Sequence, residues 1–227
     1  MTEDSRLEVR CRAVTRRYTD GGETITALEG FTETFSAGET VAVVGPSGSG
    51  KSTLLALLAA IDYADEGTIH AGDVELGSLS TIEQASFRAG HVAYLYPEHN
   101  LLPMLSVYEN ITLALSLRRL SEADLDLHAR TALERLEIGD IAHRRPATLS
   151  SGQRARAGLA RAIAGDTPLV IADEPTAHLD TENAMMVARL LVELAADGSR
   201  LVVVATHDPA VAGFASRTVR LRAADGA

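Results

Sequence analysis

A chain of 227 residues that is 46% hydrophobic can bury a substantial core, as one compact unit or as a core with a subdomain. A formal net charge of −10 argues against a surface built to track nucleic-acid phosphates, and the single cysteine, Cys11, cannot close an internal disulfide. The longest uninterrupted apolar run, Leu54 to Ile61, falls far short of the roughly 20 residues that cross a bilayer. The acidic opening "MTEDSRLEVR" is not a signal peptide, so no direct membrane insertion is expected and any membrane role must come through a partner.

In chain order, residues 7–44 carry the alternating patterns "LEVRCRAV", "ETITAL" and "FTETFSAG", with "DGG" at 20–22 as a turn. They predict a small antiparallel layer. "TVAVVG" (40–45) reads as a strand followed by a helix from Ser52. "HVAYLY" (91–96), "LVIAD" (169–173) and "LVVVAT" (201–206) read as further strands, the last two apolar enough to be covered on both faces. From Ser106 to Ala164 the pattern is helical, with the capping-box spacing of Ser106 to Glu109 and an acidic first turn after Ser121. "TENAMMVARLLVELAA" (181–196) is another helix, and Asp208 with Pro209 starts a late one. Strand–helix alternation predicts a mostly parallel α/β sheet, interrupted by an all-helical insert.

"GPSGSGKST" (45–53) lies between a strand and a helix. Gly45, Gly48 and Gly50 let the backbone turn its N–H groups toward a polyphosphate, with Pro46, Ser47 and Ser49 between them. The helix that follows adds its positive end. Lys51 brings a point charge to the outer phosphates, Ser52 a hydroxyl for Mg²⁺, and Thr53 is the last of the phosphate-binding residues. "LVIADEP" then delivers two acids at the carboxyl end of an apolar strand. Asp173 is the Mg²⁺ candidate; Glu174, pointing elsewhere, is placed to orient or deprotonate an attacking water.

"LSSGQ" (Leu149, Ser150, Ser151, Gly152, Gln153) directly precedes a helix and resembles the signature motif of ATP-binding cassette ATPases, normally L-S-G-G-Q. "PTAHLD" resembles the D-loop, with Asp180 as its acid, and "VVVATHD" the switch strand ending in His207. Within the family, "YTDGGETITALEG", "NLLPMLSVYEN" and "THDPAVA" most resemble the MacB/LolD/FtsE type. The resemblance implies a P-loop NTPase, RecA-like α/β fold: a parallel-sheet core, an antiparallel β layer and an inserted helical subdomain. One domain over 1–227 is expected, with the core in 1–96 and 165–227 and the helical subdomain in 97–164.

The resemblance further implies ATP and Mg²⁺ as ligands and ATP hydrolysis as the reaction. It implies a homodimer closing on two ATP, each P-loop facing the other chain's signature, and a separate integral-membrane permease of MacB/FtsX-like type. The chain would sit on the cytoplasmic face of the membrane through that permease, with no nucleic-acid partner. Lys51, Glu174 and His207 are the expected catalytic residues, His207 contacting the terminal phosphate. Tyr18 falls where the family stacks an aromatic ring on adenine, or is a packed strand residue. His178 stands where related cassettes carry Asn, as a contact across the dimer or a plain exposed side chain. Leu101, Leu102, Met104 and Leu105 belong either to the permease contact or to the core.

The sequence departs from the family at two places. Ser151 replaces a glycine of the signature, a small change. Pro97 stands where the family carries the Q-loop glutamine, whose oxygen reaches Mg²⁺ and the attacking water; no glutamine lies between Gln84 and Gln153. Proline has no side-chain donor or acceptor and no N–H. A water or the neighbouring carboxylate Glu98 is left to fill the position, and hydrolysis is expected to persist but slower or differently coupled.

Overall fold

The computed structural model describes residues 6–97, 100–118, 120–177 and 179–222. Its strands form two sheets. A four-stranded antiparallel sheet has the order β2 (Glu23–Ser36), β1 (Glu8–Asp20), β4 (Glu66–Ala71), β5 (Val74–Glu75). A five-stranded parallel sheet has the order β6 (Val92–Leu95), β7 (Leu169–Asp173), β8 (Leu201–Ala205), β3 (Thr40–Val44), β9 (Arg217–Arg220). The fold class matches the sequence expectation. β7 and β8 are buried at every position, as strands covered on both faces must be.

Helices cover both faces of the parallel sheet. On one side, α1 (Lys51–Leu58) buries Leu54, Leu55, Leu57 and Leu58 between that sheet and the antiparallel layer, in one core with Val9, Phe35, Val43, Ile171 and Val203. On the other, α6 (Thr181–Ala195) joins the helical insert α3 (Val107–Ser116), α4 (Glu122–Arg135) and α5 (Ser151–Ile163) around Val170, Ala172, Val202 and Val204. Alternate residues of one strand thus serve two cores. α5 buries Gly152, Ala155, Ala157, Gly158 and Ala160, and small side chains of this kind let neighbouring helices approach closely.

Three details differ from the sequence reading. "ETITAL" and "FTETFSAG" are not two strands but one, β2, paired with β1 from Glu8↔Ser36 to Asp20↔Glu23. Register shifts between Cys11 and Arg17, with Ala13 at φ 48° and Gly30 at φ 56°, absorb the twist of so long a ribbon. β4, β5 and β9 carry too weak an alternation to stand out. α2 (Thr81–His91) is only half apolar and buries Phe87 alone, although its capping box, Ser80 to Glu83, was legible in principle.

Candidate functional site: a phosphate cradle beside paired acids

Helix N-termini distinguish the site. α2 is capped by Ser80, α3 by Ser106, α4 by Ser121, α5 by Ser150 and α6 by Asp180, each side-chain oxygen accepting a backbone N–H. Among the described residues, α1 is the one helix of eight residues or more without such a cap. Its N-cap is Gly50, left-handed at φ 84°, a backbone state glycine adopts without strain. A Cβ there would also strike the carbonyl of Ala27, which β2 presses against the loop. The first N–H groups of α1 are therefore free for an anion.

The cradle is a cavity of about 360 Å³ lined by Ala27, Ser47, Gly48, Gly50, Lys51, Ser52, Thr53 and Glu174. Pro46, Ser47 and Gly48 are exposed on its rim, and Ser49 is buried beneath, its hydroxyl without a partner among the described residues. Gly45 needs its missing side chain, since a Cβ would meet the Ser49 hydroxyl and the Leu221 carbonyl. Lys51 Nζ donates to the carbonyls of Gly45 (2.9 Å) and Pro46 (3.0 Å). An ammonium has three donors, so one remains for phosphate.

Asp173 ends β7 and is 8% exposed. Burial, opposed by a hydrogen bond from Ser52 and by Lys51 and reinforced by Glu174, holds its carboxyl above the usual aspartate range. A buried carboxylate joined to an exposed hydroxyl suits a divalent cation, and Mg²⁺ commonly takes one or two protein ligands beside substrate phosphates. The residues present therefore fit Mg²⁺ at Ser52 and Asp173. The raised pKa has a consequence for stability. The carboxylate costs stability above its folded pKa, and the cost vanishes below its unfolded value. Asp173→Asn is expected to melt about 2–4 °C above the native chain at pH 7 without ligand. That gain should fade as pH falls toward the unfolded value, as thermal melts at several pH values would register.

Glu174 has φ 45°, a left-handed backbone that a non-glycine residue adopts at a cost. Its N–H donates to the Ala205 carbonyl at 2.9 Å, holding the turn. His207 follows β8: Thr206 is fully buried and its hydroxyl accepts the Asp208 N–H, while Asp208 caps α7 (Pro209–Ala212). Only His207 is left to project. Its side chain is 73% exposed, and Nδ1 lies 2.9 Å from Glu174 Oε2. A proton on Nδ1 would make this a hydrogen bond to the carboxylate and leave Nε2 as the free ring nitrogen.

The structure thus brings Gly45 to Thr53, Asp173, Glu174 and His207 together. It keeps Leu149 to Gln153 apart: none of them lines the cradle. At the start of α5, Ser150 accepts the Gln153 N–H and Gln153 accepts the Ser150 N–H, which leaves the Ser151 and Gly152 N–H groups. Gly152 lies against Asn183 of α6, where a Cβ would clash. Asn183 in turn bonds Asp180 through its backbone and side-chain nitrogens (2.9 and 2.7 Å). Those bonds hold the Asp180 carboxyl below the usual range. Asn183 therefore links the start of α5 to Asp180, and no single-residue spacing rule would have found it. Tyr18 is 38% exposed near the end of β1, and its hydroxyl donates to Asp62. Pro97 lies in a turn just beyond β6; Glu98 and His178 lie outside the described residues.

Comparison with known proteins gives the family. Residues 28–177 match the family described as ABC transporter. The chain is 36% identical over 225 residues to the lipoprotein-releasing system ATP-binding protein LolD of Nitratidesulfovibrio vulgaris, covering 99% of the chain and 97% of LolD. It is 38% identical over 213 residues to the macrolide export ATP-binding/permease protein MacB of Burkholderia cenocepacia, covering 94% of the chain but only 31% of MacB. A dimeric post-hydrolysis structure of the ATP-binding cassette MJ0796, from Methanocaldococcus jannaschii, bound to ADP and Pi, superposes with a TM-score of 0.85 at 33% identity, covering 94% of each chain. The chain belongs to the ABC transporter family and is an ABC ATPase cassette.

Proposed function

We propose that this chain hydrolyses ATP to power a membrane complex of the MacB/LolD type, exporting or extracting a hydrophobic or amphipathic substrate. The observation that carries the reading is the uncapped start of α1 facing Lys51, Asp173, Glu174 and His207. Mg²⁺ held by Ser52 and Asp173 would offset charge on the phosphates. Lys51 and the α1 N–H groups bind the phosphates; Glu174 orients the water and takes its proton; His207 donates from Nδ1 to Glu174 and, when Nε2 also carries a proton, from Nε2 to the terminal phosphate. The bond from the terminal phosphorus to the ADP oxygen breaks as the water oxygen bonds to phosphorus. Two copies would close head to tail, the free N–H groups of Ser151 and Gly152 meeting nucleotide on the partner's loop. The dimeric MJ0796 structure is consistent with that arrangement.

The membrane partner is read as an integral permease of MacB/FtsX-like type. No helix among the described residues is long and apolar enough to cross a membrane. The loop after Pro97 exposes Leu102 (45%) and Met104 (74%). Buried Asn110 fixes that loop: its amide accepts the Leu102 N–H and donates to the carbonyls of Leu102, Leu105 and Ser106. ATP turnover measured with and without the co-expressed permease tests the coupling, and turnover indifferent to it counts against this role.

Pro97 favours a second reading, a weakly hydrolysing clamp that signals through its membrane partner, as the FtsE resemblance suggests. Restoring the missing oxygen separates the two. Pro97→Gln is expected to raise Mg²⁺-dependent turnover roughly two- to tenfold. An unchanged rate would mean that position 97 does not limit the reaction.

A further inference from the structure

Arg16 is held between two aromatic rings. Its guanidinium carbon lies 4.6 Å from the Tyr18 ring centroid and 4.3 Å from that of Tyr63. The same guanidinium grips two acids. Nε and Nη2 reach the two oxygens of Asp62, each at 2.9 Å, and Nη1 reaches Asp65 at 3.1 and 3.2 Å. Asp62 also accepts the Tyr18 hydroxyl (2.7 Å) and the Tyr63 N–H (2.8 Å). Asp65 accepts the Arg17 N–H at 2.7 Å and donates its own N–H to Thr15 at 2.9 Å. The Arg16 side chain is only 10% exposed, whereas Tyr18 and Tyr63 stay 38% and 57% exposed.

This network joins two parts of the molecule. Asp62 and Asp65 follow α1, the helix that starts at the phosphate cradle. Tyr18 pairs with Ile25 on β2, two residues from Ala27, whose carbonyl lies against Gly50 of the cradle. A network this well satisfied exceeds what a surface ion pair needs. A bidentate fork on Asp62 and a second carboxylate fix the guanidinium plane, and that plane fixes the ring above it.

We propose that Arg16 is a positioning residue for the nucleotide base: with Asp62 it locks the Tyr18 ring into one orientation as a platform for a flat purine. The inference rests on reading Tyr18 as the adenine contact. Arg16 covers ring surface on the protein side, Asp62 stops the ring swinging about its side-chain torsions, and the exposed part is left for stacking. Fixing the ring in advance spares the ordering cost at binding. Stacking without hydrogen bonds to the base selects by overlap, so purines should be favoured over pyrimidines with little distinction between adenine and guanine.

Calorimetric titration of the full chain with Mg·ATP and with Mg·tripolyphosphate, which has no base, tests this. Arg16→Met is expected to weaken ATP binding about three- to tenfold and leave tripolyphosphate binding unchanged, with Arg16→Lys recovering part of the loss. ATP affinity equal to the native chain, or equal weakening of both ligands, overturns the proposal. Tyr18→Ala separates the two levels. If it leaves ATP affinity intact, the adenine reading of Tyr18 fails; if it weakens ATP while Arg16→Met does not, only the role of Arg16 fails. Should Arg16→Met not fold, Tyr18→Phe decides by removing only the hydroxyl bond to Asp62. Weaker ATP with unchanged tripolyphosphate supports the proposal, and no change in either overturns it.

Discussion

Glu174→Gln is expected to lower ATP turnover by a factor of about 10²–10⁴, the usual contribution of a positioned general base. The amide keeps the shape of the carboxylate and its oxygen can still accept from His207 Nδ1, which lies 2.9 Å from Glu174 Oε2. What it loses is the capacity to take a proton. Nucleotide binding should survive or strengthen, because one negative charge beside the phosphates disappears. The same change relieves Asp173, whose carboxyl Glu174 helps to raise. Single-turnover assays together with nucleotide binding separate the two effects. A variant that turns over within a few-fold of the native chain would remove Glu174 from the chemistry. Loss of binding together with turnover would instead assign it a structural role, through its left-handed turn at φ 45°.

Lys51→Ala should act on binding first. A charge-assisted hydrogen bond contributes about 1.5–3 kcal/mol, so Mg·ATP affinity should fall roughly 10- to 150-fold. The substitution also strips a donor from the carbonyls of Gly45 and Pro46, so the cradle itself should loosen. Comparing Mg·ATP with Mg·ADP tests whether the charge acts at the outer phosphates. A larger loss for ATP is expected; an equal loss would place the lysine's contribution in holding the loop.

Much of this site was legible before the fold was known, because its chemistry depends on adjacent residues. The glycine loop, the acid pair and the "LSSGQ" helix start are local patterns, and the secondary structure set each where its motif requires. The apolar strands β7 and β8 could be read because burial on both faces removes polar residues from them. Long-range features were not legible. β1 and β2 bend through register shifts that a period-two pattern reads as breaks, so the single strand β2 reads as two. The Gly152–Asn183–Asp180 link and the Arg16–Asp62–Tyr18 network join residues 31 and 46 positions apart, counted from 152 to 183 and from 16 to 62. Only tertiary packing sets such distances. The missing cap of α1 has meaning only beside the capped starts of the other helices.

The separation of the cradle from Ser150 to Gln153 makes the central claim one about two copies. Sedimentation equilibrium of Glu174→Gln with saturating Mg·ATP tests it most directly. The account predicts a species of twice the chain mass that returns to single-chain mass when ATP is withheld, or when Lys51→Ala is added. Single-chain mass at a nucleotide concentration shown to fill the site would contradict it.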